Sequence, residues 1–237
     1  MKKPRKFETN SIEETEKLIA DKILSFYQSL SPPQNLPDSV GVLNPYQNAE
    51  SWKLTFDFYQ KFYSDESPRK LLFGINPGRF GCGVTGVPFT DPIALENQCG
   101  IQNELPKRTE LSSDFIHQMI DAQGGASVFF QRFILSAISP LGFVQNGKNL
   151  NYYDIPNWKM IFENYAVDLI KQQLSFNIDI SEAYSIGQGD NMKFLTYIND
   201  KNGFFKKITA LPHPRWVMQY RRKRIDEFIE EYINKLS

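Results

Sequence analysis

The chain has 237 residues, 41% hydrophobic and 23% charged, and its 27 basic side chains balance 27 acidic ones to a formal charge of zero. That length suits one large domain or two small ones with a substantial core, and the neutral balance excludes a globally basic nucleic-acid binder, so only local charge clusters matter. Two cysteines, Cys82 and Cys99, exclude a disulfide framework and an iron–sulfur cluster, and no apolar run reaches the roughly 18 residues of a membrane-spanning helix. The basic start, "MKKPRKFETNSIEE", lacks the apolar stretch of a secretory signal, so a reduced, cytoplasmic setting is the expectation.

Residues 11–30 read as a helix: Ser11 and Glu14 form a capping box, and Ile12, Leu18, Ile19, Ile23 and Leu24 recur near helical period. A Pro- and Asn-rich connection follows, then a second helix over about 49–63 and a short apolar strand, "KLLFGI", over 70–75. The segment 79–111 has turn chemistry and little periodicity and reads as a long loop. After a helix near 112–123, the period of 127–138 does not separate helix from strand. Residues 157–175 form an amphipathic helix with Ile161, Tyr165, Leu169 and Leu174 inward. "EAYSIG" (182–187) is a strand, followed by a helix at about 190–199. "KKITAL" (206–211) is another strand, and a final helix spans about 217–236. Short strands alternating with helices mean an α/β fold with a mainly parallel sheet.

In such sheets, sites gather beyond the carboxyl ends of the strands. Asn76 follows one strand and His213 another, so the two can converge on one pocket. Around Asn76 the stretch "KLLFGINPGRFGCGVTGVPF" carries two glycine patterns. Gly81, Gly83 and Gly86 spell G-x-G-x-x-G, but a dinucleotide fingerprint needs its first glycine directly after a strand and its last at a helix start. Here an Asn-Pro-Gly turn intervenes and Pro88 follows closely, so a Rossmann-like nucleotide-binding enzyme is only an alternative. No G-K-[ST] is present, which excludes a Walker loop.

"GINPGRFGCGVTGVPF" resembles the first active-site motif of the uracil-DNA glycosylase superfamily, most closely its single-strand-selective monofunctional branch. "LPHPRWVMQYRRKR" (211–224) resembles that superfamily's second motif, a His-Pro followed by a DNA-intercalating loop and a terminal helix. "VLNPYQNAESW" (43–52) resembles the segment before the first strand. The resemblance covers roughly 41–237 as a catalytic domain, with 1–40 as an N-terminal helical extension packed on it. It implies a three-layer α/β/α fold, about four mainly parallel strands flanked by helices, and a monomeric DNA glycosylase without metal or cofactor.

Cleaving a base from deoxyribose builds a cationic sugar and an anionic base. Asn76, a neutral amide, is able to orient a water, and His213 to donate a hydrogen bond to the departing base. The resemblance places the base-stacking ring at Phe89 and the pocket backbone at Gly74, Ile75 and Gly78. It also implies an asparagine that reads the base edge, where this chain has Ala137; Ser136, Ser139 or Asn146 are the available substitutes, or the pocket takes another base. Between 215 and 224 five cations, Arg215, Arg221, Arg222, Lys223 and Arg224, interleave with Trp216, Val217, Met218, Gln219 and Tyr220. That mixture suits phosphate contact and wedging into a base stack. His117, within a helix, reads as structural. Ala137 keeps a second alternative open, a non-catalytic module that binds damaged DNA.

Overall fold

The computed structural model describes residues 18–237, and the capping box at Ser11 and the basic Lys2–Lys6 segment lie outside the described residues. Helix α1, Ile19–Ser29, turns Ile19, Ala20, Ile23, Leu24, Phe26 and Tyr27 into the core. It packs on α2, Ala49–Phe62, whose N-terminus is capped by Asn48: the Oδ1 accepts from the N–H groups of Glu50 and Ser51, each at 3.0 Å. Between the two helices runs a short strand, β1, Gly41–Leu43.

Strand β2, Lys70–Gly74, is the centre of the molecule, with Leu71, Leu72 and Phe73 fully buried. Helices α3 (Cys82–Thr85) and α4 (Pro92–Asn97) follow, within the stretch that sequence reads as one long loop. Both are too short to show a period; Asp91 and Pro92 nonetheless carry an N-cap signal for α4. Next come α5 (Leu111–Ala122), α6 (Ala126–Phe130) and β3 (Phe133–Ala137), so the ambiguous 127–138 segment is a helix end followed by a strand.

Strands β4 (Gly142–Gln145) and β5 (Lys148–Leu150) form a hairpin absent from the sequence expectation. Its turn is Asn146-Gly147, both at positive φ (49° and 69°), the backbone that Asn-Gly favours in two-residue hairpins. Helix α7, Trp158–Leu174, buries Phe162, Ala166, Leu169, Ile170 and Gln173. Of the four residues expected inward, Leu169 is fully in that set, while Ile161, Tyr165 and Leu174 are partly buried and pack against the core from its edge; buried Gln173 accepts the Ser136 hydroxyl.

The chain then alternates β6 (Ala183–Ile186), α8 (Asp190–Asn202) and β7 (Ile208–Leu211). The expected final helix is two helices, α9 (Pro214–Tyr220) and α10 (Ile225–Lys235), divided by a 3-10 turn at Arg222–Arg224. The four successive cations, Arg221 to Arg224, fall at this break.

The main sheet is parallel throughout, in the order β3-β2-β6-β7, and the second sheet is antiparallel, β1-β4-β5. A parallel sheet buried on both faces needs helical cover on both. Helices α5, α9 and α10 pack together, as do α1, α2 and α7, giving the three-layer α/β/α arrangement. Among the described residues no helix is long and apolar enough to cross a membrane.

At the start of β2 the Arg69 guanidinium is fully buried. Its Nε donates to Phe130 O at 2.7 Å, and its two Nη atoms donate to the Asp65 carboxylate at 2.7 and 2.8 Å. Nη1 also donates to Ser67 O at 2.7 Å, so one side chain fastens the turn after α2 to the end of α6. Hydrogen bonds from Arg69 hold the Asp65 carboxyl down to about 2, against an ordinary 3.8. Replacing Asp65 with Asn is expected to cost about 1–2 kcal/mol at neutral pH, allowing for solvent screening of a half-exposed carboxylate. The folded carboxyl titrates below the unfolded one, so the difference from wild type in thermal melting is full above pH 3.8 and closes as the pH falls through about 2.

Candidate active site

The carboxyl ends of β2, β3 and β7 open into a cavity of about 320 Å³, lined among others by Asn76, Phe89, Ala137, Tyr153 and His213. Strand β2 reaches it through two further bonds, Ile138 N–H to Gly74 O at 3.0 Å and Ser139 N–H to Ile75 O at 3.2 Å.

The Asn76 amide is held at both ends by the backbone after the hairpin. Nδ2 donates to Leu150 O at 3.2 Å, and Oδ1 accepts from Tyr152 N–H at 2.9 Å. That pairing fixes which end is oxygen and leaves one Oδ1 lone pair for a further donor. Asn149 ties the same hairpin to the same loop, its Oδ1 accepting from the N–H and Nε of Arg79, both at 3.2 Å.

Phe89 stands in the left-handed region at φ 55°, strained for an aromatic residue. The Thr85 hydroxyl holds it there from below, donating to Thr90 O at 2.7 Å and accepting from Val87 N–H at 3.1 Å. Thr90 Oγ1 donates to Pro88 O and receives His117 Nε2–H, each at 3.1 Å. His117 therefore braces the loop from α5, in agreement with its structural reading, and burial holds its pKa down to about 4. The Phe89 ring lies directly on Gly74, where a methyl group would stand 2.6 Å from Cζ. The ring thus needs glycine at that position.

His213 is the N-cap of α9. Its Nδ1 accepts from Arg215 N–H at 3.2 Å, which puts the proton of the neutral ring on Nε2. Burial, reinforced by the Arg215 charge, lowers its pKa to about 4, so at neutral pH the ring is an uncharged Nε2–H donor at the cavity.

The base-reading position is an apolar gap. Ala137 lines the cavity, while its proposed substitutes are engaged elsewhere. The Ser136 hydroxyl donates to Gln173 Oε1; that of Ser139 donates to Leu141 O at 2.8 Å, and the residue is fully buried off the cavity; Asn146 sits in the exposed hairpin turn. Ser139 is therefore withdrawn from the base-binding set. Ser136 also borders the cavity, and the polar residues there that sequence reasoning did not single out include Asn149, Asn151 and Tyr153, from the hairpin and the turn after it, and Glu110. Asn146-Gly147 was nonetheless a readable hairpin signal.

Helix α9 divides the basic segment by face. Val217 and Met218 are buried, 0% and 3% exposed, so both leave the DNA-contact set for the core. Arg215, Trp216, Gln219 and Tyr220 border the cavity, and Trp216 and Tyr220 are exposed, one helical turn apart. Arg221 lies over the Trp216 ring at 5.0 Å, and Arg222 approaches Asp114 at 3.8 Å. Gly81 and Gly86 merely flank the four-residue α3, and strand β2 ends at Gly74 rather than running directly into Gly81, so the glycine pattern lacks the geometry of a dinucleotide fingerprint. Among the described residues no cluster of three or more His, Cys, Asp or Glu side chains is placed to hold a metal ion.

Comparison with known proteins concerns the fold and the family. The family model described as "Uracil DNA glycosylase superfamily" matches residues 60–237. The single-strand selective monofunctional uracil-DNA glycosylases of Rattus norvegicus and Mus musculus are 29% and 28% identical over 140 residues, 51% of this chain and 49% of each relative. The match thus spans about half the length of these relatives. The crystal structure of wild-type Pedobacter heparinus SMUG2 superposes with a TM-score of 0.89 at 39% identity, covering 92% of this chain and 96% of that one.

Two outcomes are expected from this geometry. Nitrogen-15 NMR of the two histidines should show both rings neutral with the proton on Nε2 from pH 6 to 8, titrating near 4; an ordinary midpoint near 6.5 would contradict the burial of His213. Gly74→Ala should displace the Phe89 ring and lower affinity for any ligand stacked on it, measured by fluorescence titration, with little change in secondary structure.

Proposed function

The chain belongs to the uracil-DNA glycosylase superfamily, and on that premise we propose that it is a monofunctional DNA glycosylase, hydrolysing the bond between deoxyribose and uracil or a related deaminated or damaged base. A single observation carries the reading: Asn76 and His213, far apart in sequence, face one cavity with the Phe89 ring.

A base turned out of the stack enters the cavity and recovers stacking on Phe89, with the backbone at Gly74, Ile75 and Gly78 along its edge. Asn76 Oδ1, already oriented by Tyr152 N–H, accepts a hydrogen bond from the attacking water with its free lone pair. An amide is too weak a base to remove the proton, so it orients the water and leaves bond breaking to run ahead of attack. As the C1′–N bond lengthens, its electron pair moves onto the base, and His213 Nε2–H donates to the base oxygen where charge accumulates. A neutral imidazole suits this task, since it donates without surrendering its proton. The water oxygen then bonds to C1′ and the base leaves. Among the described residues no lysine lines the cavity, which supports hydrolysis without a Schiff-base intermediate.

Trp216 and Tyr220, exposed on the cavity side of α9, are the apolar groups able to fill the space left by the extruded nucleotide, and Arg215, Arg221 and Arg222 meet phosphates beside them. The apolar gap at Ala137 favours a pocket that reads bases less strictly than one with an amide there.

Asn76→Ala is expected to slow release of uracil from an oligonucleotide by on the order of 100- to 10,000-fold, with DNA affinity largely kept. Unchanged excision in single-turnover assays would sink the assigned role. Tight binding of damaged DNA by the wild-type chain with no base released from any lesion would instead identify a binding module.

A further inference from the structure

We propose that Glu110 is the electrostatic partner of the cationic sugar in this reaction, an ionised carboxylate that faces the cavity and stabilises the positive charge formed between C1′ and O4′. The inference rests on the glycosylase reading above.

Glu110 is the N-cap of α5 yet makes no side-chain cap hydrogen bond. Its backbone N–H donates to Asp91 Oδ2 at 2.8 Å, which anchors the residue while the side chain extends to the cavity wall. There the carboxylate lies across Gly78 and Gly81. A methyl group at Gly78 would come within 3.1 Å of Oε1, and one at Gly81 would overlap Oε2. The loop after Asn76 is therefore bare of side chains where the carboxylate rests.

No other carboxylate lines the cavity among the described residues, and Glu110 takes part in none of their ion pairs. An acid largely removed from water without a partner is costly to keep, and neither helix capping nor ion pairing repays it here. The charged and titratable groups around it are few. Arg215 on α9 favours the ionised form, and Asp91 at the start of α4 opposes it. Cys82 on α3 is a thiol pushed up to about 12 by burial and stays neutral. Burial is the leading influence on Glu110 itself and raises its pKa above the ordinary 4.5.

The two groups assigned to the reacting atoms, Asn76 and neutral His213, carry no charge, and the Arg215 guanidinium at the cavity border is a cation and offers nothing to a cationic sugar. Asn76 and His213 address the water and the departing base and leave the sugar cation uncompensated. A negative charge across a small, partly dry cavity acts strongly on such a cation, because little water screens it. In the balanced step the C1′–N electron pair leaves on the base, and the water oxygen bonds to C1′. One water proton goes to the solvent and one proton from solvent neutralises the released base. Glu110 forms no bond and keeps its charge throughout.

The test compares two oligonucleotides, one with a cationic pyrrolidine in place of the abasic sugar and one with neutral tetrahydrofuran. Wild type should prefer the cation by about 10- to 100-fold at neutral pH, and Glu110→Gln should lose that preference while binding tetrahydrofuran normally. Single-turnover excision by Glu110→Gln should fall by a similar factor, and the loss of rate that wild type shows on acidification through the Glu110 ionisation should flatten. Glu110→Asp keeps the charge one methylene further away and should be intermediate in both assays. Melting curves check that each variant is folded, and the ratio of the two affinities is insensitive to the fraction of active protein. A Glu110→Gln variant with wild-type rate and cation preference overturns the inference while leaving the glycosylase reading intact. A wild-type chain that excises no base overturns that reading and this inference together.

Discussion

The hydrogen bonds that hold the Asn76 amide between Leu150 O and Tyr152 N–H are the constraint on which the cavity depends. They join the end of the central parallel strand to the end of the antiparallel hairpin, two sheets that share no strand. The residue has to be an amide for this: one end meets a carbonyl and the other an N–H. A carboxylate would set two acceptors against each other at Leu150 O. Asn149 repeats the connection one step along through Arg79. The hairpin is in this sense a frame, and the loop after β2 is mounted on it.

The opposite wall is built by a different device. Phe89 occupies a backbone conformation that costs on the order of 1–3 kcal/mol for a non-glycine residue, and hydrogen bonds from Thr85, Thr90 and His117 over-determine it. The strain is offset by a network with little freedom to relax, and its product is a ring held against Gly74. One bracing group, His117, is itself buried and uncharged. The site is braced where a base would stack, and the hairpin side supplies polar groups, Asn149, Asn151 and Tyr153.

Charge is arranged locally in a chain whose total is zero. Cations gather along α9 and the turn after it, of which Arg215 alone reaches the cavity wall among the described residues, while within the cavity the histidine is kept neutral and Glu110 is the one acid. Position decides what each does. At the rim, in high dielectric, cations act over a distance on a phosphate backbone and are screened by salt. Inside, the same magnitude of charge acts over a shorter range on a single reacting group.

Much of this was legible in the sequence, for a local reason. Strand β2 runs into Asn-Pro-Gly and strand β7 into Pro-His-Pro, so apolar runs meeting turn residues marked Asn76 and His213 as strand-end groups; Phe89 was reached through the resemblance of "TGVPF" to the family motif. Each of these signals is carried by adjacent residues, and the sheet rule converts it into a place. What failed depended on contacts between distant segments. Whether Val217 faces DNA or core is decided by the packing of α9 on α5, and the pattern of a seven-residue helix is too short to show it. The tautomer of His213 follows from one hydrogen bond across a helix start. Glu110 gave no local sign at all, because its environment is two glycines about thirty residues upstream. Sequence by itself determined the fold class and the chemical types at the strand ends; only the tertiary structure decided which side chains are bare to the cavity, since burial and charge are properties of what surrounds a residue and not of the residue.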